Sequence, residues 1–199
     1  MQIPFVDVEV QESPVYVSKL IERKRKRTRS LYYEALLLEE LMEKMPDADS
    51  EFHIITDKGF SAIAFVQVVA KREIIESLTI STWAIGMKQV TAIASLMRSG
   101  RIQRTLVNVG TIMGKGAAGA AVNKAYEKFD TICEEAGINV VINRVHAKII
   151  LMKTATSWYV VETSANFNEN MCREQFSIFN DCELYEFYRQ ALITKVGGG

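Results

Sequence analysis

The sequence INVVINRVHAKIILMKTATSWYVVETSAN, residues 138–166, contains three apolar segments separated by short polar stretches. Residues 138–144, 147–152 and 158–162 are rich in Val and Ile, as buried strands are. Outside this stretch the pattern predicts strands at 52–56, 78–82, 105–109 and 175–180, and helices at 61–77, 88–98, about 117–135 and 183–192. Such alternation predicts an α/β domain in which helices flank a central mixed sheet.

The composition is that of an ordinary folded protein. The chain has 199 residues, 48% of them hydrophobic, which is enough apolar material to exclude global disorder and to form one compact domain. The 24 Lys and Arg residues balance 24 Asp and Glu residues. The total charge therefore gives no argument for nucleic-acid binding, which would need a local basic patch.

The cysteines and the hydropathy indicate where the protein works. Cys133, Cys172 and Cys182 form no CxxC pair, which excludes a disulfide scaffold and the usual zinc-knuckle spacings. No apolar run approaches the roughly 20 residues of a membrane span, and the first residues do not resemble a secretory signal. We therefore expect a soluble, cytoplasmic protein without membrane association.

Residues 1–50 differ from the remainder and are predicted to form an N-terminal basic, helical arm, with residues 51–199 as the main domain. Within the arm, the alternating residues 5–10 predict a short strand, and Pro14 opens a predicted helical region that includes the basic run. The boundary is Met45–Ser50, where a proline and small acidic residues would end a helix. Within the arm, Arg23, Lys24 and Arg25 begin a basic run that continues to Arg29. This run either contacts a nucleic-acid backbone or forms the solvated face of a helix.

Two short polar motifs follow each other at the distance of a hairpin. His146 and Lys148 are two residues apart, so on a strand both side chains would lie on the same face. Ser164 and Asn166 have the same spacing. A lysine beside a neutral imidazole suits phosphate chemistry, because the ammonium stabilises a non-bridging oxygen while the imidazole attacks phosphorus. The alternative is a histidine at a strand edge and a lysine that only reaches solvent.

His146-x-Lys148 followed by Ser164-x-Asn166 resembles the HKD signature of the phospholipase D superfamily, HxKx4Dx6GSxN. The likeness extends over about residues 51–190 and includes the segments 73–83 and 159–168. It implies a phospholipase-D-like fold and a metal-independent phosphodiesterase that uses no cofactor. It also implies that His146 is the nucleophile, that Lys148 and Asn166 bind phosphate, that Ser164 supports them, and that Glu174 orients His146.

The chain contains only one such motif, which resembles the single-motif, endonuclease-like branch of the superfamily. One histidine cannot stand on both sides of phosphorus, so the reaction needs a second copy of the chain. We therefore expect a homodimeric nuclease that acts on DNA or RNA through a phosphohistidine intermediate.

The motif is degenerate. Lys153 stands where the pattern has Asp, Thr163 replaces the glycine, and the gap between the two halves is three residues longer. A catalytically degenerate protein that binds nucleic acid or a partner protein is therefore the alternative.

Two other features are assigned to substrate binding. Gly114–Gly119 matches GxGxxG, and Lys115 within it is expected to touch a substrate phosphate. The same loop is otherwise a plain connection to the next helix or the basis of a nucleotide-binding module. Trp83, placed just beyond a predicted strand, either lines the mouth of the site or belongs to the core.

Overall fold

The computed structural model describes residues 21–23, 27–32, 38, 45–48, 50–56, 61–112, 120–168 and 172–193. In these ranges the strands are β1 (Ile21–Arg23), β2 (Arg27–Tyr32), β3 (Glu51–Thr56), β4 (Ser77–Ile85), β5 (Thr105–Ile112), β6 (Ile138–Ile142), β7 (Ile149–Lys153), β8 (Trp158–Thr163) and β9 (Glu174–Asn180). The helices are α1 (Ile63–Arg72), α2 (Met87–Arg98), α3 (Ala120–Ala136) and α4 (Cys182–Ile193). The predicted alternation of strands and helices from residue 51 onward is thereby confirmed.

The strands form one mixed sheet in the order β1-β2-β3-β9-β8-β7-β4-β5-β6. The pairs β4–β5 and β5–β6 are parallel, whereas β7 is antiparallel to both β4 and β8. The alternation of side chains along β7 separates two cores. Ile150 and Met152 pack in the larger core with residues of α1, α2 and α3, while Ile149 and Leu151 pack with Tyr185 of α4. Both faces of β7 are therefore buried, which explains its continuous apolar run.

The N-terminal part differs from its prediction. A helix was expected from about residue 14 through the basic run, but Ile21–Arg23 and Arg27–Tyr32 are strands, and β2 pairs in parallel with β3. The backbone pairing with β3 outweighs the helix propensity of Lys and Arg, which is weak on its own. Leu38 is helical and buried. The strand predicted at residues 5–10 lies outside the described residues.

The parallel and antiparallel pairings bring several strand ends to one edge of the sheet. Ser81 of β4 pairs with Ile149, the first residue of β7, so the residues after Ser81 lie beside those before Ile149. Ile149 in turn pairs with Glu162, and Thr163 with Phe176 of β9. The carboxyl ends of β4 and β8 and the amino ends of β7 and β9 therefore meet. We call this the motif edge, because residues 146–148 precede β7 there and residues 164–166 follow β8.

Candidate active site at one edge of the sheet

His146 and Lys148 lie on the motif edge, in the segment that leads from β6 into β7. The expected strand begins only at Ile149, so the two residues precede it and are not part of it. His146 is exposed, and its Nδ1 atom is 3.3 Å from the Nζ atom of Lys148. Nζ also donates to the carbonyl oxygen of His146, at 3.1 Å. The two functional groups are therefore in contact and open to solvent, as phosphate chemistry requires.

Two hydrogen bonds to its backbone join this segment to its neighbours. The hydroxyl of Ser81 in β4 donates to the carbonyl oxygen of Ala147 at 3.1 Å. The backbone amide of Thr163 donates to the carbonyl oxygen of Lys148 at 3.2 Å. The first bond fixes the segment to β4 and the second to the end of β8. The two halves of the motif are thereby held against each other.

Ser164 and Asn166 lie in a turn that follows β8. Ser164 donates a hydrogen bond from Oγ to the carboxylate of Glu174, which is only 8% exposed, and accepts one from the amide of Gln175 at 3.0 Å. The side-chain oxygen of Asn166 is buried and has no hydrogen-bond partner among the described residues. Its amide nitrogen is the atom that can donate to a phosphate oxygen. That Glu174 orients His146 stays a prediction, since the hydrogen bond above joins the carboxylate of Glu174 to Ser164.

Trp83 contacts His146 at the motif edge. The ring centroids are 5.7 Å apart, with an interplanar angle of 42°, and Trp83 is 42% exposed. Trp83 lies inside β4, which extends three residues beyond the predicted strand. Its indole therefore borders the imidazole, as expected for a residue at the mouth of the site.

Two residues that position this edge were missed by the sequence reasoning. A Cβ atom at Gly110 would lie 2.9 Å from Cζ3 of Trp83 and 2.7 Å from the carbonyl oxygen of Val145, so only glycine leaves room for both. The buried hydroxyl of Thr82 donates to the carbonyl of Ala84 at 3.0 Å and accepts from the amide of Phe167 at 3.0 Å. The only signal for Thr82 was a polar residue in an apolar strand, where a buried hydroxyl needs a partner.

Arg23, another predicted residue, is not brought to this site. Arg23 pairs with Arg27 through the backbone of β1 and β2, and Lys24, Arg25 and Lys115 lie outside the described residues. Lys153, at the position of the motif's aspartate, is at the opposite end of β7, about 13 Å along the strand from Ile149. There its Nζ atom is 3.1 Å from a carboxylate oxygen of Glu76.

The second histidine, His53, has structural partners. Its Nδ1 atom is 2.8 Å from the hydroxyl of Ser177, and its Nε2 atom is 3.2 Å from a carboxylate oxygen of Glu51. In the part of the chain that is described, no three His, Cys, Asp or Glu side chains gather as they would around a metal ion. No helix of that part has the length and apolar character of a membrane span.

Neither family models nor curated protein sequences match this chain. Among solved structures, it is similar to a polyphosphate kinase from Porphyromonas gingivalis, with a TM-score of 0.58 and 13% identity, over 80% of this chain and 29% of the kinase. It is also similar to a phosphatidylserine synthase from Haemophilus influenzae, with a TM-score of 0.49 and 17% identity, over 73% of this chain and 39% of the synthase. The yeast tyrosyl-DNA phosphodiesterase matches with a TM-score of 0.38 and 12% identity, over 63% of this chain and 31% of that protein. The chain thus spans well under half the length of each of these proteins. The match to the kinase confirms the predicted fold.

Proposed function

Because the fold is phospholipase-D-like, we propose that this protein is a metal-independent phosphodiesterase, and specifically a homodimeric nuclease that forms a phosphohistidine. The observation that carries the proposal is the contact between the exposed His146 and Lys148 at the motif edge, beside the turn with Ser164 and Asn166. The nearest Nζ–Nδ1 separation of 3.3 Å puts a fixed positive charge next to the nucleophile.

The reaction has two steps that balance without a metal ion. In the first, Nε2 of His146 attacks phosphorus, the P–N bond forms and the bond to the leaving oxygen breaks, while His146 of a second copy gives that oxygen a proton. In the second, that histidine takes a proton from water, the water oxygen attacks phosphorus, and the P–N bond breaks. Each histidine is then returned to its starting state.

Lys148 has to change partner when substrate binds. An ammonium group only donates hydrogen bonds, so Nδ1 of His146 is the acceptor in the contact with Lys148. A nucleophilic Nε2 needs its lone pair free, which places the proton of the neutral ring on Nδ1. A bound phosphate would draw Nζ toward its own oxygens, and Nδ1 would then be free to carry the proton.

The choice of nucleic acid as substrate rests on the basic run that starts with Arg23, Lys24 and Arg25, because dense positive charge binds a phosphate backbone. Lys115 is proposed to bind the same backbone from its glycine-rich loop. Cys133, Cys172 and Cys182 form no disulfide, which is compatible with the proposed cytoplasmic location.

The proposal is tested by hydrolysis of bis-p-nitrophenyl phosphate and of labelled DNA and RNA, all in EDTA. His146→Asn is expected to lower the rate by about 10²-fold or more, because it removes the nucleophile and, in the dimer, the acid. His53→Gln, which changes the other histidine, is the matched control and is expected to keep the rate. Equal rates for wild type and His146→Asn would refute the catalytic proposal.

The degenerate motif supports a second candidate, a binding protein without turnover. Lys153 and Thr163 replace two residues of the pattern that this chain otherwise resembles. This candidate predicts salt-dependent binding of DNA or RNA that neutralising Arg23–Arg29 abolishes, with no hydrolysis. Light scattering separates the two, since a strict monomer cannot assemble the two-histidine site.

A further inference from the structure

A cavity of about 250 Å³ lies between the sheet and the end of α4, next to the segment that carries His146. Among the described residues, its lining comprises three polar and three aliphatic side chains, namely Asn108, Asn143, Arg144, Val145, Ala191 and Leu192. None of these residues has a role in the reaction proposed above. Pockets for whole drug-sized ligands are larger, so this one suits one unit of a longer substrate.

The polar wall of the cavity has unused hydrogen-bonding capacity. Asn108 is 4% exposed, and its amide nitrogen donates to the carbonyl oxygen of Leu192 at 3.3 Å. The side-chain oxygens of both Asn108 and Asn143 are buried, and neither has a partner among the described residues. Buried polar atoms without partners are rare in folded proteins, because each loses its hydrogen bonds to water. The two oxygens are buried, and a turn about the broad χ2 torsion of each asparagine would present them to the cavity. A ligand with N–H or O–H groups would then supply the missing donors.

The cavity adjoins the site. Val145, in its wall, immediately precedes His146, and the amide of Val145 donates to the carbonyl oxygen of Asn143 at 3.0 Å. Asn108 pairs with Ser81, whose hydroxyl holds the backbone of Ala147. A group attached to a phosphate at His146 therefore has a short path to Asn108 and Asn143. The exposed Arg144 stands at the same place with a guanidinium group, the usual partner of a phosphate oxygen.

We propose that this cavity binds the nucleoside next to the scissile phosphate, with Asn108 and Asn143 accepting hydrogen bonds from it and Arg144 contacting its phosphate. This rests on the proposed function. A nucleoside fits because it combines N–H or O–H donors, from the base or from the ribose, with flat or aliphatic surfaces that suit Val145, Ala191 and Leu192. Phosphate esters without such a group leave the two amide oxygens unpaired.

The test measures binding to the His146→Asn protein by calorimetry, so that turnover does not interfere. The probes are AMP, dAMP, CMP, ribose 5-phosphate, glycerol 3-phosphate and inorganic phosphate. At least one nucleotide is expected to bind 10-fold or more tightly than inorganic phosphate and glycerol 3-phosphate. Ribose recognition would appear as tight binding of ribose 5-phosphate, and base recognition as equal binding of AMP and dAMP. Nucleotides that bind no more tightly than inorganic phosphate would overturn the inference.

Variants assign the binding to the cavity. Asn143→Ala and Arg144→Gln are each expected to weaken nucleotide binding about 10-fold, as is Asn108→Leu if it folds. Arg98→Gln, at the exposed end of α2, is the control for the loss of an arginine and is expected to leave binding unchanged. Nucleotide binding that survives both Asn143→Ala and Arg144→Gln would refute the cavity as the site.

Failure of this inference can be told from failure of the proposed function. Bis-p-nitrophenyl phosphate has no nucleoside, so Asn143→Ala, which changes a residue that contacts only the nucleoside, is expected to keep its hydrolysis while losing nucleotide binding. Loss of hydrolysis in His146→Asn tests the reaction alone. Hydrolysis that depends on His146 without nucleotide binding at the cavity would reject only the inference made here.

Discussion

At the scale of single residues, Gly110 controls where Trp83 and the His146 segment can lie. Gly110→Ala would place a methyl group 2.7 Å from the carbonyl oxygen of Val145, which is backbone and cannot swing aside as a flexible side chain does. We expect this overpacking to lower the free energy of unfolding by about 1–3 kcal/mol. Urea unfolding measures the loss, and hydrolysis of bis-p-nitrophenyl phosphate is expected to fall with it.

Gly137→Ala is the control for this change. Gly137 has a φ of +70° after α3, so a side chain there costs about 1–2 kcal/mol of backbone strain but meets nothing within 4 Å. Its stability loss is expected to resemble that of Gly110→Ala, while activity is retained. If both variants keep full activity, Gly110 has no part in positioning the site.

Ser164 and Glu174 form a second residue-scale device. Glu174 is buried and accepts a hydrogen bond from the hydroxyl of Ser164, whose oxygen in turn accepts a hydrogen bond from the amide of Gln175. Ser164→Ala leaves both groups with one partner fewer and is expected to cost about 1–3 kcal/mol of stability. A double-mutant cycle with Glu174→Gln is expected to give a coupling energy of about 0.5–3 kcal/mol in urea unfolding. Additive effects would show that the hydrogen bond contributes nothing to stability.

The sequence identified the polar residues of the site but not the residues that support them. His146, Lys148, Ser164 and Asn166 stand out because their spacing is regular and local. Thr82 and Gly110 act through contacts with Phe167, Trp83 and Val145, which come from other parts of the chain. Such contacts depend on strand order, which local patterns do not specify.

At the scale of elements, β7 separates the site from the position of its missing aspartate. His146 and Lys148 precede the first residue of β7, whereas Lys153 is its last residue and pairs with Glu76. The loss of the aspartate therefore leaves the geometry of the motif edge unchanged.

Restoring the motif with Lys153→Asp is consequently expected to give no gain in hydrolysis. It would place a carboxylate near that of Glu76, and we expect a loss of about 0.5–1 kcal/mol in urea unfolding, since the ion pair is one-third or more exposed. Lys153→Gln removes the pair without the repulsion and is expected to lose less. A rise in activity in Lys153→Asp alone would show that this position takes part in the reaction.

The elements themselves were predictable to different degrees. β7 and β8 were recognised because burial on both faces gives uninterrupted apolar runs. β1 and β2 were not, since their residues carry charges typical of an exposed helix. They become strands because β2 pairs with β3 and β1 pairs with β2. Long-range pairing decides such segments, and the sequence alone contains no local trace of it.

At the scale of the whole molecule, the two cores on either side of the sheet contain groups that resist ionisation. Burial raises the pKa of Tyr159 to about 12, with the hydrogen bond to Glu73 acting in the same direction. Burial and the hydrogen bond to Glu162 raise the pKa of Tyr188 to about 12. Burial and the charge of Asp130 raise the pKa of Cys133 to about 11. All three groups are therefore kept neutral by the fold.

This determines how stability depends on alkaline pH. The unfolded chain releases these protons near its ordinary pKa values of 9 and 10, while the folded protein still holds them. The unfolded state then binds fewer protons, so the free energy of unfolding is highest below about pH 9 and falls as pH rises to about 12. Urea unfolding at pH 8, 9, 10 and 11 at constant ionic strength measures the fall.

Tyr159→Phe removes one titrating group and is expected to make the fall in the free energy of unfolding shallower. It also lowers stability at pH 8, because Glu73 loses a hydrogen bond of 2.9 Å. Stability that stays constant from pH 8 to 11 in wild type would contradict the burial of these groups.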